Sequence, residues 1–282
     1  MNAPAVPEFH HEAMATTFAI VIADHPPEYA RQAAAAAFRE LDRLESELSR
    51  YVESSDIARA NRLAPGETIR IGEDALHCLL LAADASLATH RAFDAAYASE
   101  RSADQPAEAP LFTLDPAAHT LTSHAARLHL DLGAIGKGYA LDRMAAQLAE
   151  WAVTTACLQS GGSTALALAA PAGQTGWSIG IGDGATHRTL SLSHVALSGS
   201  GIAVRGAHLI DPRTGEPSAH TTRTWALAPT AALSDALSTA FFILPDADIA
   251  AFCKAHPHVG AARAHSDTHL TTYGTLTLPR HS

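Results

Sequence analysis

Positive charge is scarce in this 282-residue chain, which has 19 Lys and Arg residues against 29 Asp and Glu residues. The formal net charge of −10 argues against proteins that hold nucleic acid on a basic surface. An acidic protein that binds a nucleotide has to concentrate positive charge locally or take it from a metal ion. Long apolar runs are also missing, so the sequence predicts no membrane span.

Cysteine occurs only at Cys78, Cys157 and Cys253. Because these positions are far apart and no Cys-x-x-Cys pair occurs, the sequence predicts neither a zinc knuckle nor a disulfide framework. The first residues lack the basic and apolar regions of a signal peptide, and no lipobox cysteine is visible. With Met1 as the native start, we expect a cytoplasmic protein.

The remaining composition is typical of a globular protein, with 47% apolar and 17% charged residues. Helical patterns alternate with runs of short strands, which predicts an α+β fold with largely antiparallel sheets. We expect a single domain over residues 1–282, built as one compact unit from two helix-plus-sheet halves at about 1–125 and 126–282. The predicted helices are 28–51, 74–90, 139–151, 231–244 and 247–255, and the predicted strands are 16–23, 111–114, 120–123, 154–158, 163–170, 177–182, 189–197, 224–228 and 268–278.

The segment 131–142, DLGAIGKGYALD, lies where a strand-like run passes into a helix. Backbone N–H groups at a helix N-terminus, with Lys137 beside them, favour an anion such as a phosphate. The glycine spacing fits neither a P-loop nor the Rossmann fingerprint. These residues alone leave open a plain tight turn with a solvated lysine.

Two further segments carry side chains suited to catalysis. Asp235 and Thr239 are four residues apart on a predicted helix, so they share a face and offer hard oxygen ligands of the kind Mg²⁺ prefers. The alternative is that Thr239 bonds back to the carbonyl of residue 235. His208 precedes an Asp-Pro-Arg-Thr-Gly turn and is suited to accept a hydroxyl proton, although the chain has 17 histidines.

Two further segments contain glycine. Gly161 and Gly162 follow a predicted strand and allow close approach of backbone to a ligand. The sequence Ser-Gly-Ser-Gly at 198–201 does not fit the G-x-S-x-G nucleophile elbow. This spacing argues against a hydrolase that uses Ser200.

Taken in order, these segments resemble the ApbE family, the FAD:protein FMN transferases. The resemblance covers most of the chain and includes the Asp-Leu-Gly, His-x-Ile-Asp-Pro-Arg-Thr-Gly and Asp-Ala-Leu-x-Thr patterns. The matching segments are 14–18, 48–51, 55–62, 92–94, 131–142, 160–162, 208–215 and 235–239.

The resemblance implies an ApbE-like α+β fold that binds FAD and Mg²⁺. It implies transfer of FMN from FAD to a Thr or Ser hydroxyl of a partner flavoprotein, with release of AMP. His208 would be the general base and Lys137 would assist at the diphosphate. The magnesium ligands would be Asp235, Thr239 and the backbone carbonyl of Ala134, and FAD would be held by Met14, Tyr51, Ala92, Phe93, Asp94, Asp131, Gly161 and Gly162.

The chain departs from the family pattern at several positions. Arg91 replaces a glycine, Ser163 replaces an aspartate, and Ala95-Ala96 replace Pro-Thr. The stretch between Asp94 and Asp131 is short. Two alternatives to transfer therefore stay open, a protein that binds FAD without transferring FMN and a pyrophosphatase that gives FMN and AMP. The acceptor protein and the oligomeric state are not predicted.

Overall fold

An eight-stranded antiparallel sheet forms the centre of the fold, in the order β1-β2-β6-β7-β10-β11-β12-β13. The computed structural model describes residues 6–201, 210–218, 223–266 and 268–278. The strands in these ranges are β1 (Glu8–Ala13), β2 (Thr16–Ile22), β3 (Thr68–Arg70), β4 (Phe112–Asp115), β5 (Thr120–Ser123), β6 (Ala156–Ser160), β7 (Thr164–Ala167), β8 (Trp177–Ile181), β9 (Arg188–Leu192), β10 (Val195–Gly201), β11 (Arg223–Ala228), β12 (Gly260–Ser266) and β13 (His269–Gly274).

Helices cover one face of this sheet and the β8–β9 hairpin covers the other. Successive strand residues point to opposite faces, so on β6 Leu158 packs with the helices and Cys157 packs under the hairpin. A separate three-stranded sheet has the order β3-β5-β4. The described helices are α1 (Pro27–Leu48), α2 (Asp56–Ala60), α3 (Glu73–Ala88), α4 (Gly136–Glu150), α5 (Ala231–Ile243) and α6 (Asp246–Ala255).

Helices α4 and α5 approach each other unusually closely. A Cβ atom added to Gly138 would lie 2.1 Å from the carbonyl oxygen of Ala231, so only glycine fits at this position. One turn later, Asp142 accepts hydrogen bonds from the backbone N–H groups of Ala231 and Ala232, at 2.8 and 2.9 Å. These N–H groups begin α5 and have no acceptor within their own helix. The side chain of one helix therefore caps the N-terminus of the other.

A buried carboxylate joins α4 to α1 and α3. Asp74 accepts hydrogen bonds from the Tyr139 hydroxyl at 2.5 Å and from Arg43 at 2.6 Å, and Arg143 lies 3.2 Å away. Burial by itself raises the pKa of Asp74, but the hydrogen bonds from Tyr139 and Arg43 outweigh it and hold the pKa below its usual value. Tyr139, which belongs to the segment 131–142, thus helps to hold α4 against α3.

The predicted α+β class with antiparallel sheets is confirmed, and the corrections are local. The predicted strand 189–197 is two strands, because the chain turns at His194, which has a φ of 54°. Helix α4 begins at Gly136 rather than at residue 139. The large sheet takes strands from both expected halves, and their boundary stays a prediction.

Strands β1, β3 and β12 are absent from the sequence prediction. Strand β12 reads Gly-Ala-Ala-Arg-Ala-His-Ser, which has little of the β-branched character that marks a strand. It is held by hydrogen bonding to β11 and β13 on either side. None of the described helices has the length and apolar character needed to cross a membrane.

The Asp142 cap leads to a prediction about stability and pH. Burial raises the pKa of Asp142 to about 6, against the lowering effect of its two N–H partners. The folded protein therefore keeps this proton at pH values where the unfolded chain has released it, and the unfolding free energy falls as pH rises toward 6. We expect the wild-type unfolding free energy, relative to Asp142→Asn, to fall by about 2–3 kcal/mol between pH 4 and 7 in urea titrations.

Substitution of the exposed Asp84 by Asn provides the control and should change the unfolding free energy by less than about 0.5 kcal/mol at each pH. A pH-independent difference between wild type and Asp142→Asn would contradict the prediction. Asp142→Ala, which leaves two N–H groups without an acceptor, should cost about 1–3 kcal/mol.

Candidate functional site

A cleft of about 900 Å³ lies beside the first turn of α4, within the usual range for small-molecule pockets. It brings together segments from the whole length of the chain. Of the predicted site residues, His208 lies outside the described residues. The others all line the cleft: Met14, Tyr51, Ala92, Phe93, Asp94, Asp131, Ala134, Lys137, Gly161, Gly162, Asp235 and Thr239.

Met14 reaches the cleft from the two-residue turn between β1 and β2. Both turn residues have left-handed backbone conformations, with φ values of 48° at Met14 and 57° at Ala15. Such turns match the twist of a hairpin but normally use Asn or Gly. The N–H of Met14 donates to Glu45 on α1 at 2.8 Å, which holds the turn against the helix.

Tyr51 is 79% exposed and is held at the wall of the cleft by Arg50. The guanidinium carbon lies 4.6 Å from the centre of the tyrosine ring, within the range of a cation–π contact. Arg50 also lies 3.1 Å from the His129 ring and 3.5 Å from the Asp131 carboxylate. Arg50 therefore adds a positive charge to the cleft that the sequence prediction omitted.

The segment 92–94 forms another part of the wall, and it begins after a strained residue. Arg91 has a φ of 63°, a conformation that favours glycine, which is the residue of the family pattern at this position. Its guanidinium bonds the Asp94 carboxylate at 2.8 Å. Ala92 and Phe93 are buried, and the N–H of Phe93 donates to Thr89 at 3.2 Å.

Lys137 lies on the first turn of α4 and is largely buried, with 13% of its side chain exposed. Its ammonium donates to the Gly133 carbonyl at 2.7 Å and lies 3.8 Å from the Asp235 carboxylate. The Asp131 carboxylate accepts from the Gly133 N–H at 2.8 Å. The alternative of a solvated lysine is therefore wrong, because the corner formed by residues 131–137 holds it inside the cleft.

Asp235 is 4% exposed and accepts from the Gly138 N–H at 3.3 Å. Thr239 follows one turn later on the same helix, and its hydroxyl lies 3.3 Å from that of Ser200. The residue that bonds back to the Asp235 carbonyl is Ser238, at 2.9 Å. The Thr239 hydroxyl bonds Ser200 instead of the Asp235 carbonyl, so the alternative given above is wrong, and Thr239 lines the cleft.

The donor set at this point suits a hard divalent cation. No cluster of three or more His, Cys, Asp or Glu side chains suited to a metal occurs in the described ranges. Asp235, Thr239 and Ala134 nevertheless line the same cleft and can offer a carboxylate, a hydroxyl and a backbone carbonyl. Oxygen donors of these three kinds fit Mg²⁺, which takes few protein ligands and completes its shell with water and substrate phosphates.

The two glycines after β6 have different structural roles. Gly161 has a φ of 53°, and a Cβ atom there would lie 2.6 Å from the Thr16 hydroxyl. A Cβ atom at Gly162 would meet no atom within 4 Å. Gly161 is therefore required by the turn, whereas Gly162 leaves open space in the cleft.

Among the lining residues that the sequence prediction does not name, Arg50, Tyr97 and Ser200 carry polar side-chain groups of functional interest. Arg50 could have been found from the sequence, because it directly precedes the predicted site residue Tyr51. Ser200 was considered only as a hydrolase nucleophile. Tyr97 stands in an Ala-rich and Ser-rich stretch without the period of a helix or strand, so its pattern gives no signal.

Comparison with known proteins gives consistent matches. A model of the ApbE family matches residues 14–262. The FAD:protein FMN transferase of Treponema pallidum is 34% identical, with 51% of this chain and 46% of that protein covered. The enzyme of the same name from Haemophilus influenzae is 29% identical, with 44% and 40% covered. The chain thus spans less than half the length of these two curated relatives.

Similarity of fold extends further than similarity of sequence. The flavin transferase ApbE from Vibrio cholerae superposes with a TM-score of 0.77 and is 20% identical, with 96% of this chain and 98% of that chain covered. At this identity the match shows a shared fold.

The open space at Gly162 leads to a prediction about ligand binding. Gly162→Val should fold normally, since a Cβ atom at this position meets nothing within 4 Å, but the added methyl groups would occupy the cleft. We expect FAD to bind about 10-fold or more weakly, measured by quenching of flavin fluorescence. Gly180→Val, on the β8–β9 hairpin outside the cleft, is the control, and a Cβ atom there meets only the end of the His187 side chain, at 3.2 Å. Equal FAD affinity in Gly162→Val and wild type would show that the ligand lies elsewhere.

Proposed function

The chain belongs to the ApbE family, and from this we propose that it transfers FMN from FAD to a Thr or Ser hydroxyl of an acceptor flavoprotein and releases AMP. The main support is the convergence of Lys137, Asp235 and Thr239 on one cleft beside the N-terminus of α4. These groups are what a diphosphate requires of its binding site.

FAD would occupy the cleft with its diphosphate beside the corner at residues 131–137. The first turn of α4 offers N–H groups and a positive dipole to the phosphates, and Lys137 adds a full charge. Met14, Tyr51 and the segment 92–94 would hold the flavin and the rest of FAD. Asp131 would contact the nucleotide, and the backbone at Gly161 and Gly162 would approach it closely.

Attack on the diphosphate requires that the charge on its oxygens be neutralised and that the attacking hydroxyl lose its proton. Lys137 contributes to the first requirement. Asp235, Thr239 and the Ala134 carbonyl would hold Mg²⁺, which supplies Lewis-acid stabilisation of the phosphate oxygens when bound. Because Lys137 lies 3.8 Å from Asp235, it also balances the buried carboxylate when no cation is bound.

We assign the role of general base to His208. A neutral imidazole accepts a hydroxyl proton near neutral pH. The described chain resumes at Ile210, and Ile210 and Pro212 line the cleft. The adjoining turn is stabilised by Arg213, which bonds the Asp211 carboxylate at 2.7 and 2.9 Å. The position of Ile210 and Pro212 at the cleft supports the assignment.

The exposed wall of the cleft favours a second candidate, hydrolysis of FAD to FMN and AMP. Tyr51 and Tyr97 are 79% and 48% exposed, so water has access to the side of the cleft they form. Water would then replace the protein hydroxyl as the acceptor. Release of AMP in the absence of any acceptor protein would select this candidate, and tight FAD binding without AMP would select a protein that only binds FAD.

Incubation with FAD, Mg²⁺ and an acceptor flavoprotein should yield AMP and an acceptor whose mass has increased by one FMN less water. His208→Ala should slow this labelling by about 10²–10⁴-fold, because the hydroxyl then lacks its base. His77→Ala, which changes an exposed histidine on α3, should label at the wild-type rate. Equal labelling rates in His208→Ala and wild type would remove His208 from the mechanism.

Removal of the Asp235 charge should weaken the affinity for Mg²⁺ in a measurable way. Asp235→Asn keeps an oxygen for the Gly138 N–H but loses the carboxylate that a hard cation prefers. We expect the Mg²⁺ concentration for half-maximal AMP release to rise about 10-fold or more. Asp248→Asn, at an exposed position of α6, is the control. Undiminished AMP release by the wild type in excess EDTA would contradict the metal assignment.

A further inference from the structure

Three hydroxyl groups form a chain beside the cleft. The Ser200 hydroxyl lies 2.8 Å from that of Ser238 and 3.3 Å from that of Thr239. The Ser238 hydroxyl donates to the backbone carbonyl of Asp235 at 2.9 Å. This chain of hydroxyl groups therefore starts at Thr239 and passes through Ser200 on β10. It returns to α5 at Ser238 and ends at the backbone carbonyl of Asp235.

The direction of the protons follows from this end point. A carbonyl oxygen only accepts, so the single proton of Ser238 points to Asp235. The Ser200 proton then points to Ser238, and the Ser200 oxygen accepts the proton of Thr239. The lone pairs of Thr239 are consequently turned away from Ser200, and its oxygen is ready to meet a cation as a pure donor of electron density.

The surroundings keep this chain in place. Ser238 is fully buried, and its backbone carbonyl accepts from the Thr224 hydroxyl of β11 at 2.8 Å. Ser200 lies on β10, directly opposite Thr224 of the paired strand β11. Sheet and helix therefore fix both ends of the Ser200–Ser238 bond, whereas Ser200 and Thr239 both line the cleft.

We propose that Ser200 is a positioning residue that orients the Thr239 hydroxyl for binding a divalent cation. The inference rests on the proposed function, because it requires a cation at Asp235 and Thr239. Groups that hydrogen-bond to a metal ligand fix its orientation, and their removal commonly lowers metal affinity by about 10–100-fold. Without Ser200, the Thr239 proton has no acceptor in the described hydroxyl chain and its hydroxyl is free to turn.

The test is a titration of the full chain with Mn²⁺ in the presence of saturating FAD, followed by electron paramagnetic resonance. Ser200→Ala should bind Mn²⁺ about 10-fold more weakly, and Thr239→Val at least as weakly. The double variant should bind no more weakly than Thr239→Val alone, because Ser200 acts only through Thr239. Ser200→Cys, whose thiol is a weak donor and acceptor of similar size, should lie between Ser200→Ala and wild type.

Ser198→Ala is the matched control. Ser198 lies two residues earlier on the same strand and face, and its hydroxyl is buried without a hydrogen-bond partner. We expect Ser198→Ala to bind Mn²⁺ as the wild type does. Thermal unfolding of each variant separates loss of the cation from loss of the fold, and the Cys variant decides the matter if the Ala variant unfolds.

The outcomes separate this inference from the function on which it rests. Wild-type affinity in Ser200→Ala, or a further loss when Ser200→Ala is added to Thr239→Val, would overturn the positioning role and leave the transferase proposal intact. A wild-type protein that binds no Mn²⁺ with FAD present would overturn both the metal assignment and this inference.

Discussion

The close contact between α4 and α5 is the constraint on which the cleft depends. Only glycine at position 138 lets the two backbones meet, and the Asp142 carboxylate then caps α5 with two hydrogen bonds. This contact sets Lys137 within 3.8 Å of Asp235, although they are 98 residues apart in sequence. A larger residue at position 138 would separate the helices and with them the cationic and anionic groups of the site.

The same contact explains how an acidic protein can offer a positive site. The chain carries a formal net charge of −10, yet Lys137, Arg50 and the N-terminal end of α4 all face one cleft. Asp131 and Asp235 lie beside these cations and limit their net charge. A bound divalent cation would tip this balance toward the anionic diphosphate, which is why a metal-dependent reaction suits the arrangement.

The cleft is also built from strained or restricted backbone at its margins. Met14, Ala15 and Arg91 have left-handed conformations that non-glycine residues rarely adopt. Two of them are held by specific contacts, with Glu45 accepting from the N–H of Met14 and Asp94 pairing with Arg91. Outliers of this kind concentrate at functional sites, where the surrounding structure keeps them in place. The margins therefore depend on α1 and on the segment after α3 as much as on the sheet.

Local patterns in the sequence determined the α+β class, the glycine-lysine corner at residues 131–137 and the shared face of Asp235 and Thr239, because each depends on residues within about one or two helical turns. Tertiary structure decided the rest. It buried Lys137, which sequence left open, and it gave Thr239 a partner 39 residues away in Ser200. It also formed strands β1 and β12, whose weak patterns are supported by neighbouring strands. Partners so distant along the chain are chosen by packing, and no local periodicity records them.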